Sequence, residues 1–352
     1  MAIADLENTT VLVTGADGFV GRHLVKALVL EGADVRAVDL QFEAPLPDGA
    51  QPIIADVQRI DDIRAAMEGV DIVYHLAAVS DLWVSPDDPG RHHRVNVDGT
   101  RNVLQAAIET GARRFLHCSS NVVLIAGTRA FQHLNEDHTT RRSDLFGAYA
   151  RSKFDAASLV QAAGGQIETV TVLPGTPIGP GDHRPTPPGR FLRDLANGAI
   201  PALPRGAAIN AVDVRVMTDT IARSGYLAPA GSRYLLTGCD VTFGHLARIA
   251  GDLTGLPMPR AVVPYGVAWT AALAEDVIWS RWTGRMPAAS FDGLRMAGRA
   301  RQFSNARARQ NLLLEPTDLR ACIADALTWM MQNGMITRPM PGLGLEPGSV
   351  KA

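Results

Sequence analysis

The segment that most constrains this chain is Thr14-Gly15-Ala16-Asp17-Gly18-Phe19-Val20-Gly21, which follows a β-branched run and opens an apolar helical pattern. Glycines at 15, 18 and 21 permit a tight turn, close approach of backbone to a bound group, and close packing of a helix on its strand. The helix N-terminus behind such a turn offers free N–H groups to phosphate oxygens. A glycine triplet alone also fits a plain strand–helix turn. Here it follows the first strand, and Asp39 stands 18 residues past Gly21, at the end of the second apolar run. This arrangement predicts a dinucleotide held by Gly15, Asp17, Gly18, Phe19, Val20 and Gly21. A carboxylate at Asp39 can accept from both adenosine ribose hydroxyls and would repel a 2′-phosphate, which favours NAD over NADP. A turn or capping aspartate is the alternative. Arg36 can face either way, and Asp56-Val57 are placed to meet the adenine ring.

The first half of the chain alternates strand and helix patterns. Strands are expected at Thr10–Val13, Val35–Val38, Pro52–Ala55, Ile72–His75, Arg114–Cys118 and Thr169–Leu173. Helices are expected at Val20–Leu30, Ile60–Met67, Asn96–Thr110 and Ala148–Ala163. The alternation predicts an α/β fold, a doubly wound parallel (Rossmann) sheet covered on both faces. Residues 174–190 hold six prolines and four glycines and read as a long loop at the sheet's carboxyl edge, where such sheets bind ligands. The expected division is a dinucleotide-binding domain over 1–174, with a return of the chain near 207–230. A smaller, mostly helical substrate lobe takes 175–206 and 231–333, and a flexible tail follows over 334–352.

Composition excludes several classes. A formal net charge of −2 argues against a nucleic-acid binder. Cys118, Cys239 and Cys322 lie far apart without metal-ligand spacing, which reads as reduced thiols. The first ten residues lack a signal-peptide pattern, so a cytoplasmic location is expected. The apolar run Ala261–Ala274 contains Pro264 and Gly266 and is too short to span a bilayer, leaving peripheral membrane contact as the closest approach. Arginine supplies 31 of the 34 basic residues; the lysines are Lys26, Lys153 and Lys351.

That bias isolates Tyr149-Ala150-Arg151-Ser152-Lys153, where a phenol and an ammonium four residues apart share a helix face. A free phenol, with a pKa near ~10, shuttles protons poorly at neutral pH, and a nearby ammonium lowers that value. The same lysine can hydrogen-bond ribose hydroxyls. A tyrosine so tuned can exchange a proton with a carbonyl oxygen while a hydride is exchanged at carbon. Chance would place this pair in about one such chain in 25, and arginine's broad fork could not fill the role. Ser120, 29 residues before Tyr149 at the end of the fifth strand, can donate to the same oxygen; Ser119 is the competing candidate.

TGADGFVG, HLAA at 75–78, NVDGT at 96–100, CSS at 118–120, YARSK at 149–153 and LPGTPIGPGD at 173–182 resemble, in order and spacing, the extended short-chain dehydrogenase/reductase family over residues 9–333. Within it, TPIGPGDHRPTPPGR and LRMAGRARQFSNARAR are most similar to the hopanoid-associated sugar epimerases, which border the dihydroflavonol-reductase and 3β-hydroxysteroid-dehydrogenase types. The resemblance implies a catalytic triad of Ser120, Tyr149 and Lys153. It also implies a structural Asn96, cofactor contacts at Leu76, Ala77 and Ala78, and backbone at Pro174–Thr176 holding the carboxamide. This chain departs from that pattern in three places. Reductases of this kind tend to carry an arginine where Asp39 stands. Nucleotide-sugar epimerases carry an arginine where 208–213 reads Ala-Ile-Asn-Ala-Val-Asp, although Arg184, Arg190, Arg193 and Arg205 lie nearby. Sugar dehydratases carry an acid pair where Asn121-Val122 follow Ser120.

His92-His93 and His133/His138 read as solvated or capping histidines, and no metal site is expected. Trp269, Trp279, Trp282 and Trp329 fall in helical stretches and read mostly as core. Trp83, Phe146 and Trp282 stand as candidates for an apolar substrate wall, with Val122 and Arg190 as further substrate contacts. The leading expectation is an NAD(H)-dependent reductase or dehydrogenase acting on an apolar ketone/alcohol pair of lipid, sterol, β-keto acyl or 3-keto ceramide type. The alternatives are an NAD-dependent sugar epimerase and a non-catalytic NAD-binding regulatory protein. A homodimer through helices 96–110 and 148–163 is expected from the resemblance.

Overall fold

The computed structural model describes residues 6–125, 133–259, 261–276, 280–283, 290–299 and 302–346. The chain opens with β1 (Thr10–Thr14), α1 (Phe19–Leu30), β2 (Asp34–Asp39), β3 (Ala50–Ile54), α2 (Ile60–Met67) and β4 (Ile72–His75). It continues with α3 (Gly99–Glu109), β5 (Arg114–Cys118), α4 (Gly147–Ala162) and β6 (Glu168–Pro174). These strands and a seventh, β7 (Arg233–Leu236), form one sheet in the order β7-β6-β5-β4-β1-β2-β3. Every pairing in it is parallel. This is the doubly wound α/β sheet expected from the alternation.

Side chains alternate across each strand, so neighbouring residues feed opposite cores. Val11 and Val13 pack with α1 and helix Val214–Leu227 on one face. Leu12, Val73 and Phe115 pack with α2, α3 and α4 on the other. The inner strand β4 is buried at all four positions, whereas β3, with Pro52 and three exposed residues, takes an edge, where a missing N–H is tolerated.

Beyond β6 lie α5 (Pro187–Ala196), α6 (Val214–Leu227), α7 (Phe243–Thr254), α8 (Tyr265–Ala274), α9 (Phe291–Ala297) and α10 (Leu319–Gln332). Of these, α6 returns to the main sheet, while α5, α7 and α10 enclose a second apolar core. Three features differ from the sequence reading. The Pro/Gly segment 174–190 is not all loop. Thr176–Ile178 forms a short strand beside Ala208–Asp213, and α5 begins at Pro187, because proline suits a helix's first turn. Arg233–Leu236 completes the main sheet rather than entering a helical lobe. The tail is docked as far as it is described: Ile336 and Met340 are buried in the second core, and Met340 bridges Leu345. Trp279 lies outside the described residues. Trp282 is 92% exposed, so it is neither core nor an enclosed wall.

Candidate active site

The glycine turn is built for an incoming group. Gly15 has φ +71°, and a Cβ there would lie 2.8 Å from the Ala77 nitrogen. A Cβ on Gly21 would stand 2.0 Å from the Gly15 carbonyl oxygen. Helix α1 has no side-chain cap, so its first-turn N–H groups are left for an anion. Asp39 lies beside this turn, accepting from Asp17 N at 2.8 Å and from Leu40 N at 2.8 Å. Burial pushes its carboxyl above the ordinary value, against those hydrogen bonds. Arg36 turns away, donating to the Ala66 carbonyl at the end of α2. Asp56 is half-buried and accepts from Gln58 N, while Val57 packs against Gly99. These residues fit a dinucleotide, with bare backbone for a diphosphate and a carboxylate for the ribose.

The residues expected to react come from two elements. Ser120, buried two residues past β5, lies close enough to the Tyr149 phenol to oppose the rise in its pKa. Ser119 is buried with an unpartnered hydroxyl, so Ser120 is the serine placed against the tyrosine. Burial pushes the Tyr149 phenol up to about 12, with Ser120 opposing the shift, the reverse of the lowering expected from the Lys153 spacing, because burial outweighs it. Lys153, one turn along α4, is buried, donates to the Cys118 carbonyl at 2.9 Å, and is lowered by that burial.

A directed chain of hydrogen bonds joins the glycine turn to α4. The Thr100 hydroxyl donates to Asn96 O at 2.6 Å, and the Ser152 hydroxyl donates to Tyr149 O at 2.8 Å. Thr100 therefore accepts from His75 Nε2–H at 2.9 Å, which leaves His75 Nδ1 to accept from the Thr14 hydroxyl at 2.8 Å. Thr14 in turn accepts from Ala77 N at 3.2 Å. Asn96, in a π-helical turn over Arg94–Asp98, donates to Ser152 Oγ at 2.9 Å and Val79 O at 3.0 Å, and accepts from Val79 N at 2.7 Å. Such π-turns recur at functional sites. Asn96 thus fixes the loop after β4 against α4. The sequence reading quoted the motifs that contain Thr14, His75, Thr100 and Ser152 but gave a structural role only to Asn96, because the bonds joining them run between elements far apart in the chain.

The substrate-side candidates are less uniform. Phe146 is buried one residue before α4, with the Arg295 and Arg299 guanidiniums over its ring at 4.4 and 4.7 Å. Leu82 meets Gly293 of α9, Trp83 is half-buried, and Val122 packs against the Leu145 and Ala150 cluster. Pro174 is buried at the end of β6, and Thr176, Leu76, Ala77 and Ala78 are partly open at the strand ends. Arg190 donates to the Pro185 carbonyl and stands 3.7 Å from Asp81. His92 is not solvated: it is buried, donates through Nε2 to the Asp81 carbonyl at 2.7 Å, and lies edge-on to Tyr149. Among the described residues, no cluster could hold a metal ion.

Fold and dinucleotide site together define the class, an NAD-dependent enzyme. Residues 11–204 match the NAD dependent epimerase/dehydratase family. The chain belongs to that family and is an NAD-dependent enzyme of oxidoreductase or epimerase type. It is 33% identical to Sterol demethylase protein B of Methylococcus capsulatus, over 93% of this chain and all of that one. It is 32% identical to a putative dihydroflavonol 4-reductase of Synechocystis, over 92% and 95%. The crystal structure of gox2253 is similar at 30% identity, covering 94% of this chain and 100% of that one, with a TM-score of 0.80. MoeE5, solved with UDP-glucuronic acid and NAD, shares the fold at 22% identity over 92% and 99%, with a TM-score of 0.71.

Proposed function

We propose that this chain interconverts a ketone and a secondary alcohol on an apolar substrate of sterol, lipid or β-keto acyl type. Within the family we place it nearest the branch shared by hopanoid-associated sugar epimerases, dihydroflavonol reductases and 3β-hydroxysteroid dehydrogenases. When bound, NAD(H) supplies or takes up the hydride. In the reducing direction Tyr149, held protonated by its burial, donates its proton to the substrate oxygen, which Ser120 polarises. The Lys153 ammonium favours the phenolate left behind.

The observation that carries this reading is where the cations near 184–205 are spent. A sugar nucleotide needs donors for its diphosphate. Arg190 pairs with Asp81 and Arg193 with Asp194, Arg184 is turned toward Asp17 and the glycine turn rather than the substrate side, and Arg205 is exposed. At 208–213, where related epimerases carry arginine, Asn210 is consumed internally by Asp240 and Gly238. Leu82, against α9, and the half-buried Trp83 instead offer apolar area, each Å² buried contributing about 25 cal/mol. The names of the relatives quoted above, a sterol and a dihydroflavonol protein, support the same class.

The rival is a sugar epimerase that keeps its NAD. The family description and the sugar-nucleotide structures lean toward it more than toward the apolar reductase. Arg295 and Arg299, stacked on Phe146, also favour it, since they bring two guanidiniums close to the catalytic helix. A thermal-shift and turnover panel separates the two. Apolar ketones should oxidise NADH in an exchangeable manner, and UDP- or dTDP-sugars should neither stabilise nor turn over. Stabilisation by a sugar nucleotide with no response to apolar ketones would overturn the proposal.

A further inference from the structure

The segment between β6 and α5 is a rigid staple rather than a slack loop. His23 of α1 donates through Nε2 to the Pro180 carbonyl at 2.8 Å. Asp182, 2% exposed, accepts from Thr186 N at 2.9 and 3.1 Å and from the Thr186 hydroxyl at 2.7 Å. Gly189 closes on that carboxylate so tightly that a Cβ would stand 2.0 Å from it. The staple's outer residue, Arg184, is thereby presented to the glycine turn of the other lobe.

Arg184 Nη2 donates to Asp17 Oδ2 at 3.0 Å and to Asp17 O at 3.3 Å, and its Nε lies 3.7 Å from Glu43. Asp17 is the residue whose N–H bonds Asp39, and its own carboxylate also pairs with Arg22. Arg184 therefore touches the glycine turn and the segment after β2, the two stretches that flank the ribose-binding carboxylate and the uncapped start of α1. The Arg184 side chain remains 52% exposed, whereas that of Asp17 is 1% exposed. A guanidinium has five donors, so this contact leaves some of them free. Two features thus meet at one place: an anion-seeking helix start and a cation with spare donors, held at its rim by a separate lobe.

We propose that Arg184 is a cofactor-binding residue supplied by the second lobe, its guanidinium donating to the diphosphate of the bound dinucleotide. Asp17 and Glu43 hold the guanidinium at the rim of the glycine turn. Planar, bidentate donation to phosphate oxygens is the chemistry a guanidinium performs best. The contact ties the lobes together across the dinucleotide, so cofactor release requires it to break. This assignment rests on the dinucleotide site alone. Failure of the apolar-substrate reading leaves it standing, because its test uses no substrate.

The test is binding and release of NADH and of ADP-ribose, by calorimetry and stopped-flow fluorescence, on the full chain and its Arg184→Ala, Arg184→Gln and Arg184→Lys variants. Arg184→Ala and Arg184→Gln should weaken both ligands alike, by about 10- to 100-fold, chiefly through faster release, with Arg184→Lys recovering part of the loss. The melting temperature of the cofactor-free protein should stay near that of the parent. Unchanged affinity and release in both neutral variants would overturn the proposal. So would weakened binding accompanied by a lowered cofactor-free melting temperature and no rescue by lysine, the signature of a brace between the lobes.

Discussion

Tyr149 owes its acidity to its surroundings: burial raises it to about 12 while the Ser120 hydrogen bond pulls the other way. A phenol so placed stays protonated across neutral pH, ready to donate. Ketone reduction should therefore hold nearly level from pH 6 to about 8, while alcohol oxidation, which needs the phenolate, should rise with pH. Initial rates in both directions against pH would check this. Tyr149→Phe should abolish turnover while leaving NAD binding within about twofold, since the lost hydroxyl is worth little to the ground state. Asp39 carries a separate prediction. Its carboxylate should set a preference for NAD(H) over NADP(H), measurable by calorimetry, and Asp39→Ala should narrow that gap by about tenfold or more. Tighter NADP(H) binding by the parent protein would reverse the reading. His75 and His117 make a stability prediction. Burial holds both rings below the ordinary value, His75 at about 3. In the unfolded chain each titrates near ~6.5. Below that pH the unfolded state takes up protons that the native state refuses. Stability is thus full above about pH 6.5 and falls as pH drops below it, by up to about 1.4 kcal/mol per pH unit for each ring that stays neutral in the native state. Neither His117 nitrogen has a partner among the described residues, so His117→Phe should remove that ring's share of the slope in urea unfolding between pH 4.5 and 7. An unchanged slope would refute it.

At the scale of elements, β1, β4, the π-turn before α3 and α4 are locked by the polar chain from Thr14 to Ser152. Thr100→Val keeps the shape of the side chain but strands His75 Nε2–H inside the protein. It should cost about 1–3 kcal/mol in urea unfolding. Much of this level was legible beforehand. Ile72–His75, Arg114–Cys118 and Ile60–Met67 have the bounds the sequence predicts, because inner strands are short apolar runs and α2 is strongly periodic. Arg233–Leu236 escaped because its four residues sit between proline, glycine and serine signals, and its partner β6 is some sixty residues away. Helix α9 also escaped as a site element. Only packing brings Arg295 and Arg299 onto Phe146, from about 150 residues down the chain.

For the whole molecule, the second lobe closes on the first through Arg184 to Asp17 and Arg190 to Asp81. On the far side, α3 and α4 present an open groove lined by Leu104, Ile108 and Leu159 among Arg101, Gln105 and Glu109. We expect two copies to meet there. Light scattering at micromolar concentration should report a homodimer, and Leu159→Arg should shift it to monomer without altering NAD binding. A monomeric parent protein would sink this expectation. No described helix is long and apolar enough to cross a membrane.

What the sequence determined by itself is whatever depends on neighbours along the chain. The glycine turn needs three residues within one strand–helix junction. Tyr149 and Lys153 need only one helical turn. The alternation of strand and helix needs only local periodicity. What the tertiary structure alone decided depends on residues far apart. Ser120 rather than Ser119 acts on the Tyr149 phenol, His92 is buried edge-on to it, and Arg184 bonds Asp17 of the glycine turn. Serines, histidines and arginines suit surface, core and site alike. Their roles are set by which partner lies within about 3 Å, and only the packing of distant segments brings that partner there.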